Sequence, residues 1–187
     1  CEVGCGGGEI LINLQNLDGL EQLHGYEISD QDFLVNKKKQ NEKISFYKKD
    51  VFKINNFYDV LISSDVFEHV EDYFGFIREN KKKAVYKVFH IPLEISFATI
   101  ISGGLVYARK KVGHIHHFLF ETALETLKDS DLEIVDCFIT APFERNGPPL
   151  ITLREKILKY PRRILFMISP KLYSKTIGGY SLMVLAK

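Results

Sequence analysis

The chain opens Cys1-Glu2-Val3-Gly4-Cys5-Gly6-Gly7-Gly8, with glycines at every second place from 4 to 8 directly after Val3. Glycine reaches positive φ at no steric cost and lets a ligand approach the main chain closely. Just beyond, Ile10, Leu11, Leu14 and Leu17 recur at helical spacing. The pattern is a strand, a glycine turn and a helix. The first turn of such a helix has unpaired amides and a partial positive charge. The opening reads as the last part of a buried strand, so the front of that strand and one or two helices are expected upstream of residue 1.

Strand and helix signals alternate after this turn. "QLHGYEIS" and "ISFYKKDVF" contain short strands, and "YDVLISSD" is the clearest buried one. "DQDFLVNKKKQ" and "EDYFGFIREN" have helical patterns, and "AVYKVFHIP" reads as a strand stopped by Pro92. Residues 94–113 are neither a clean helix nor a clean strand. "FETALETLKDSD" is helical, "LEIVDCFIT" a strand, "LITLREKILKY" a helix and "SLMVLAK" a closing strand. Alternation of this kind predicts an α/β fold: an open, twisted, Rossmann-like sheet with helices on both faces. Right-handed crossovers then bring the loop-bearing strand ends to one edge, where ligands bind. Glu2 to Gly8, Glu27, Asp50, Ser63 to His69 and His90 all fall there.

A length of 187 residues suits one domain, and the formal net charge of +1 argues against a nucleic-acid groove. No nucleic-acid partner is expected. The three cysteines, Cys1, Cys5 and Cys137, are odd in number and lack metal-ligand spacing. They read as reduced thiols of a cytoplasmic chain.

Two ligand classes use a glycine turn at a helix start. A dinucleotide turn has the form G-x-G-x-x-G. Gly4 and Gly6 fit it, but its third glycine falls at Glu9, whose carboxylate would repel pyrophosphate. The spacing Glu2-x-Gly4-x-Gly6-x-Gly8 instead resembles the first motif of the class I S-adenosylmethionine-dependent methyltransferases. Glu27 in "GYEIS", Asp50 in "KKDVF" and "YDVLISSDVFEHVED" resemble that family's next three strand-end motifs. "GHIHHFLFETALETL" is similar to a segment before the sixth strand of its small-molecule members. The resemblance implies seven strands with the last antiparallel and inserted beside the fifth, and S-adenosylmethionine as cofactor. It implies cofactor contacts from Glu2, Gly4, Cys5, Gly6 and Gly8. Glu27 would hold the ribose beside Ile28, Asp50 and Val51 the adenine, and Ser64 and Asp65 the methionine part. Glu2 is flanked by apolar neighbours, and a cationic amine nearby would offset its burial. The whole chain is expected to be one methyltransferase domain, with acceptor-side or surface insertions at 91–116 and 141–179.

Methyl transfer needs a base only where the acceptor must lose a proton. Histidine suits that role near neutral pH, and the candidates are His69, His114 and His117. The alternative for each is local packing. No metal is expected, because His114, His116 and His117 have no companion acid in their own segment. "SSDVFEHV" lacks the Asn/Asp-Pro-Pro-aromatic turn of exocyclic-amine methyltransferases. A small-molecule or lipid-linked acceptor is expected, with oxygen or carbon favoured only slightly over nitrogen as the modified atom. Arg154, Lys156, Lys159, Arg162, Arg163, Lys171 and Lys175 lie among large apolar residues. They read either as a solvated helix face or, through 154–175, as a peripheral membrane contact. Two other functions remain open: a module that binds the cofactor without catalysis, and a nicotinamide-dependent oxidoreductase.

Overall fold

The computed structural model describes residues 1–140 and 163–187. The helix expected within "LITLREKILKY" lies outside them, as do Arg154, Lys156, Lys159 and Arg162. The strands are β1 (Glu2–Val3), β2 (Leu23–Tyr26), β3 (Ile44–Tyr47), β4 (Tyr58–Ser64), β5 (Ala84–Leu93), β6 (Ile134–Thr140) and β7 (Tyr180–Ala186). The helices are α1 (Glu9–Leu14), α2 (Asp30–Asn36), α3 (Tyr73–Lys81), α4 (Phe97–Ser102), α5 (Gly104–Lys111), α6 (Phe120–Lys128) and α7 (Pro170–Thr176). Residues 163–168 are also helical.

The strands form one sheet in the order β3-β2-β1-β4-β5-β7-β6. The pairs from β3 to β5 are parallel, and β7 runs antiparallel between β5 and β6. "SLMVLAK" therefore takes the expected place beside the fifth strand. The strand order reverses between β1 and β4, so the crevice over their carboxyl ends is the switch point where such sheets bind ligands.

Apolar side chains bind helices to both faces. Phe89, Ile91 and Leu93 of β5 and Leu182 and Val184 of β7 alternate along their strands. They pack against Ile77 of α3 and Ala123 and Leu127 of α6. On the other face, Leu11 of α1 and Phe33 of α2 pack on Leu23, Ile44 and Phe46. The glycine turn is wedged into this second cluster. Gly8 has φ +81°, and a Cβ there would lie 2.4 Å from the Phe46 ring.

Two expectations are corrected. Pro92 does not stop β5, which continues to Leu93 opposite Tyr180 of β7. β4 ends at Ser64 opposite His90, leaving that side of β5 unpaired beyond it. A residue without an N–H is tolerated on such an edge, and His90 lies within the strand rather than at its end. Residues 94–113 are not irregular but mostly two short helices broken at Gly103, which has φ +71°. Ser96 and Thr99 cap the first with reciprocal hydrogen bonds. Much of its apolar surface faces outward, and that erased the periodicity expected of a packed helix.

Leu182 is fully buried between the two layers. Leu182→Ala should cost about 2–5 kcal/mol of stability, read from urea unfolding at constant m-value.

Candidate active site

The glycine turn is held from three sides. Gly4 and Cys5 donate their N–H groups to the Tyr26 carbonyl at 2.9 and 3.2 Å. The buried carboxylate of Glu27 takes three more amides. Its Oε2 accepts from Gly6 at 2.8 Å, and its Oε1 from Ile28 at 2.7 Å and Ser29 at 2.8 Å. From α2, Asn36 donates Nδ2 to the Gly6 carbonyl at 2.8 Å. Lys39 donates Nζ to the Gly7 carbonyl at 2.8 Å and pairs with Glu9. Asn36 and Lys39 were missed in the sequence, where "VNKKKQ" reads as a charged helix exit. The available signal was that Asn36 follows Phe33 by three places, on the apolar face of α2.

Glu2 is 2% exposed in β1, and its Oε2 has no hydrogen-bond partner among the described residues. Burial pushes its carboxyl up to about 8, and the nearby Glu27 carboxylate adds to the shift. Burial also pushes the Cys5 thiol up to about 12, so Cys5 is a packing residue rather than a nucleophile. Gly6 has φ +48°, and a Cβ there would meet nothing within 4 Å. An orphaned buried acid and an open glycine cradle fit a cationic ligand laid across this turn.

The next two motifs are partly occupied. Asp50 Oδ1 accepts from the Phe52 N–H at 3.0 Å and caps the short turn Val51–Lys53, while Oδ2 lies 3.4 Å from Lys53 Nζ. Val51 is buried in the core beside Val3, Tyr26 and Leu61. Ser64 ends β4 with its hydroxyl 3.4 Å from Asp65, which adopts φ +52°. Asp65 Oδ1 lies 2.9 Å from His90 Nδ1, and His90 Nε2 lies 3.4 Å from the Thr140 hydroxyl. Ile28 is exposed just beyond Glu27.

The histidines form a second group. Glu94, directly after β5, bridges two of them: His114 Nδ1 lies 2.8 Å from Oε1 and His117 Nδ1 lies 2.6 Å from Oε2. His69 Nδ1 is 3.1 Å from the Gly113 carbonyl, and its ring meets that of His114 edge-on at 4.7 Å. The acid that the segment 114–117 lacks in sequence is thus supplied by the chain just past β5. His116 is drawn away, to the Val70 carbonyl at 2.9 Å.

Residues 1–83 match the family model described as "Methyltransferase domain". Solved structures agree over nearly the whole chain. A complex of the Haloferax volcanii Trm112 methyltransferase activator with a methyltransferase aligns at TM-score 0.69 and 14% identity, over 99% of this chain and 80% of that one. The magnesium protoporphyrin IX methyltransferase of Synechocystis PCC 6803, with bound S-adenosylhomocysteine, aligns at TM-score 0.62 and 16% identity. That alignment covers 100% of this chain and 71% of the other. The chain has the fold of the class I S-adenosylmethionine-dependent methyltransferases, and its first 83 residues match a methyltransferase-domain model. No curated protein sequence matches it significantly. The [4+2]-cyclase SpnF shares the methyltransferase fold at TM-score 0.62 and 14% identity, over 99% of this chain and 72% of that one. Fold alone therefore does not fix the reaction of a domain built this way.

The displaced titration of Glu2 links to stability. A carboxyl raised from 4.5 to about 8 on folding leaves the native state holding the proton between those values. Its contribution is full below about pH 4.5 and is lost as pH rises through 8. Without ligand, the protein should lose on the order of a few kcal/mol between pH 5 and 8 relative to its Glu2→Gln variant. Urea unfolding of both proteins at the two pH values measures the difference.

Proposed function

We propose that this domain transfers a methyl group from S-adenosylmethionine to an oxygen or carbon of a small or lipid-linked acceptor. The observation that carries the proposal is the pair of buried acids, Glu2 and Glu27, flanking an open glycine turn. Glu2 would face the cofactor's cationic amine. Glu27 would hold the ribose hydroxyls, exchanging part of its amide network for them. Exposed Ile28 offers an apolar wall for the adenine, with Asp50 and the Val51 amide on its edge. Ser64 and Asp65 would line the methionine part. Gly4, Cys5, Gly6 and Gly8 shape the turn beneath.

When bound, the cofactor supplies an electrophilic methyl whose sulfur leaves without needing an acid. The protein's work is alignment and, for a hydroxyl acceptor, proton removal. His117 suits the base. Its Nδ1 proton is committed to Glu94, which leaves the Nε2 lone pair free to accept. A cavity of about 270 Å³ is lined by Pro92, Leu93, Leu105, Tyr180, Ser181 and Glu94, the acid that holds His117. This mostly apolar hollow supports a modest apolar acceptor with one polar end.

A lipid-linked acceptor draws support from the surface. Phe97 and Ile101 of α4 are each 69% exposed, and Met167 and Ile168 are 76% and 75% exposed. Arg109, Lys110 and Lys111 close α5 nearby in sequence. Lys171 and Lys175 contribute less than expected, because both pair with Glu121, at 3.1 and 2.6 Å. No helix among the described residues is long and apolar enough to cross a membrane. A peripheral position on the cytoplasmic leaflet fits these features, and the three unpaired thiols fit a reducing compartment.

Titration calorimetry with S-adenosylhomocysteine should give binding that Glu27→Gln weakens by about 1–3 kcal/mol. A nicotinamide dinucleotide should give none. Unchanged affinity in Glu27→Gln would remove the pocket assignment. Radiolabelled methyl transfer to a cell extract separates catalysis from cofactor binding alone. His117→Ala should lower that transfer about 10²–10⁴-fold while cofactor affinity holds. Co-sedimentation with anionic vesicles should retain the protein and lose Ile101→Glu. Absence of binding by the native chain would end the membrane assignment.

A further inference from the structure

Three side chains beyond the glycine turn converge on one point. Glu68 and His69 belong to the short turn Phe67–His69 after β4, and His114 comes from the loop between α5 and α6. One ligand atom from each lies within 4.8 Å of the other two. Glu68 is 0% exposed, and neither carboxylate oxygen has a hydrogen-bond partner among the described residues. A buried acid with both oxygens unpaired is costly and calls for a compensating group. Asp65 and Glu94 stand close enough to act on Glu68 electrostatically, so the neighbourhood is already rich in negative charge.

Each imidazole has one nitrogen already engaged. His69 has its Nδ1 on the Gly113 carbonyl and His114 has its Nδ1 on Glu94 Oε1. A proton fixed at Nδ1 leaves the lone pair on Nε2. Metal-binding histidines are held in this way, with the second nitrogen on a carbonyl or carboxylate. The main chain also joins the two segments: Ile115 and His116 donate their N–H groups to the Glu68 carbonyl at 2.9 and 3.1 Å. The meeting of the three side chains is thus built into the backbone.

We infer that Glu68, His69 and His114 hold one divalent transition-metal ion, with Glu94 and the Gly113 carbonyl orienting the two histidines. Two imidazoles with one carboxylate favour zinc or a neighbouring first-row ion over magnesium or calcium. Three protein ligands leave a position open. Resting on the methyl-transfer reading, that position takes an acceptor oxygen and eases its deprotonation beside His117. No companion acid was visible within residues 114–117 because Glu68 and Glu94 both lie in other segments.

The test is Zn²⁺ binding to the chelator-stripped full chain by titration calorimetry, with S-adenosylhomocysteine affinity measured in parallel. One ion per chain is expected. Glu68→Gln and His114→Ala should each weaken zinc at least about tenfold, and Glu94→Gln about tenfold through ligand orientation. His24→Ala, remote in β2, should leave it unchanged. No zinc binding, or equal affinity in His24→Ala and His114→Ala, overturns the site. Should the buried variants fail to fold, exposed His69 provides the second reading. The visible spectrum of the Co²⁺-loaded chain should change in His69→Ala, and an unchanged spectrum also overturns the site. Loss of zinc binding with homocysteine-nucleoside binding intact strikes this proposal alone, and the reverse strikes only the cofactor assignment.

Discussion

The glycine turn depends on one carboxylate. Glu27 stands just past β2 and accepts amide hydrogens from Gly6, Ile28 and Ser29. Gly6 belongs to the turn after β1, so this single acid fixes the glycine turn to the end of the neighbouring strand. The desolvation of a buried negative charge is offset here by three charge-assisted hydrogen bonds. Asn36 and Lys39 hold the same turn by its carbonyls. Donors of the turn are therefore bound by an acid, and its acceptors by an amide and an ammonium group. A flexible run of glycines becomes a defined surface without any side chain of its own.

The neighbouring Glu2 has no such network. Its buried oxygen without a partner is a cost of the kind that an incoming cation removes. Glu68 repeats the arrangement past the end of β4. Glu2 and Glu68 are thus two buried acids with oxygens that no described residue satisfies. The contrast with SpnF shows why these local charges matter more than the sheet. The same architecture supports different chemistry, so the acids, the Glu94–histidine cluster and the apolar helices α4 and α5 carry the individuality of this domain.

Much of the fold was legible because periodicity reports burial directly. "YDVLISSD" and "SLMVLAK" became β4 and β7, and the glycine turn with Glu27 marked the switch point. Legibility failed where burial did not follow the local pattern. α4 and α5 leave many large side chains exposed, so neither shows a packed stripe. Pro92 lies in a strand because its partner on one side ends early, a fact of pairing that a local reading misses. Asp50 caps the turn that follows it, one of the two roles an acid before a turn can take.

The sequence by itself determined the order of elements, the glycine turn and the acids at strand ends, since each depends on residues adjacent in the chain or on a short repeat. Only the tertiary structure decided which groups are left without partners and which histidines share an acid. Glu94 joins His114 and His117, and Glu68 faces His69 and His114, because the strand order brings the ends of β4 and β5 together against a loop far along the chain. Hydrogen bonding and charge compensation act over a few ångströms of space, whatever the separation in sequence.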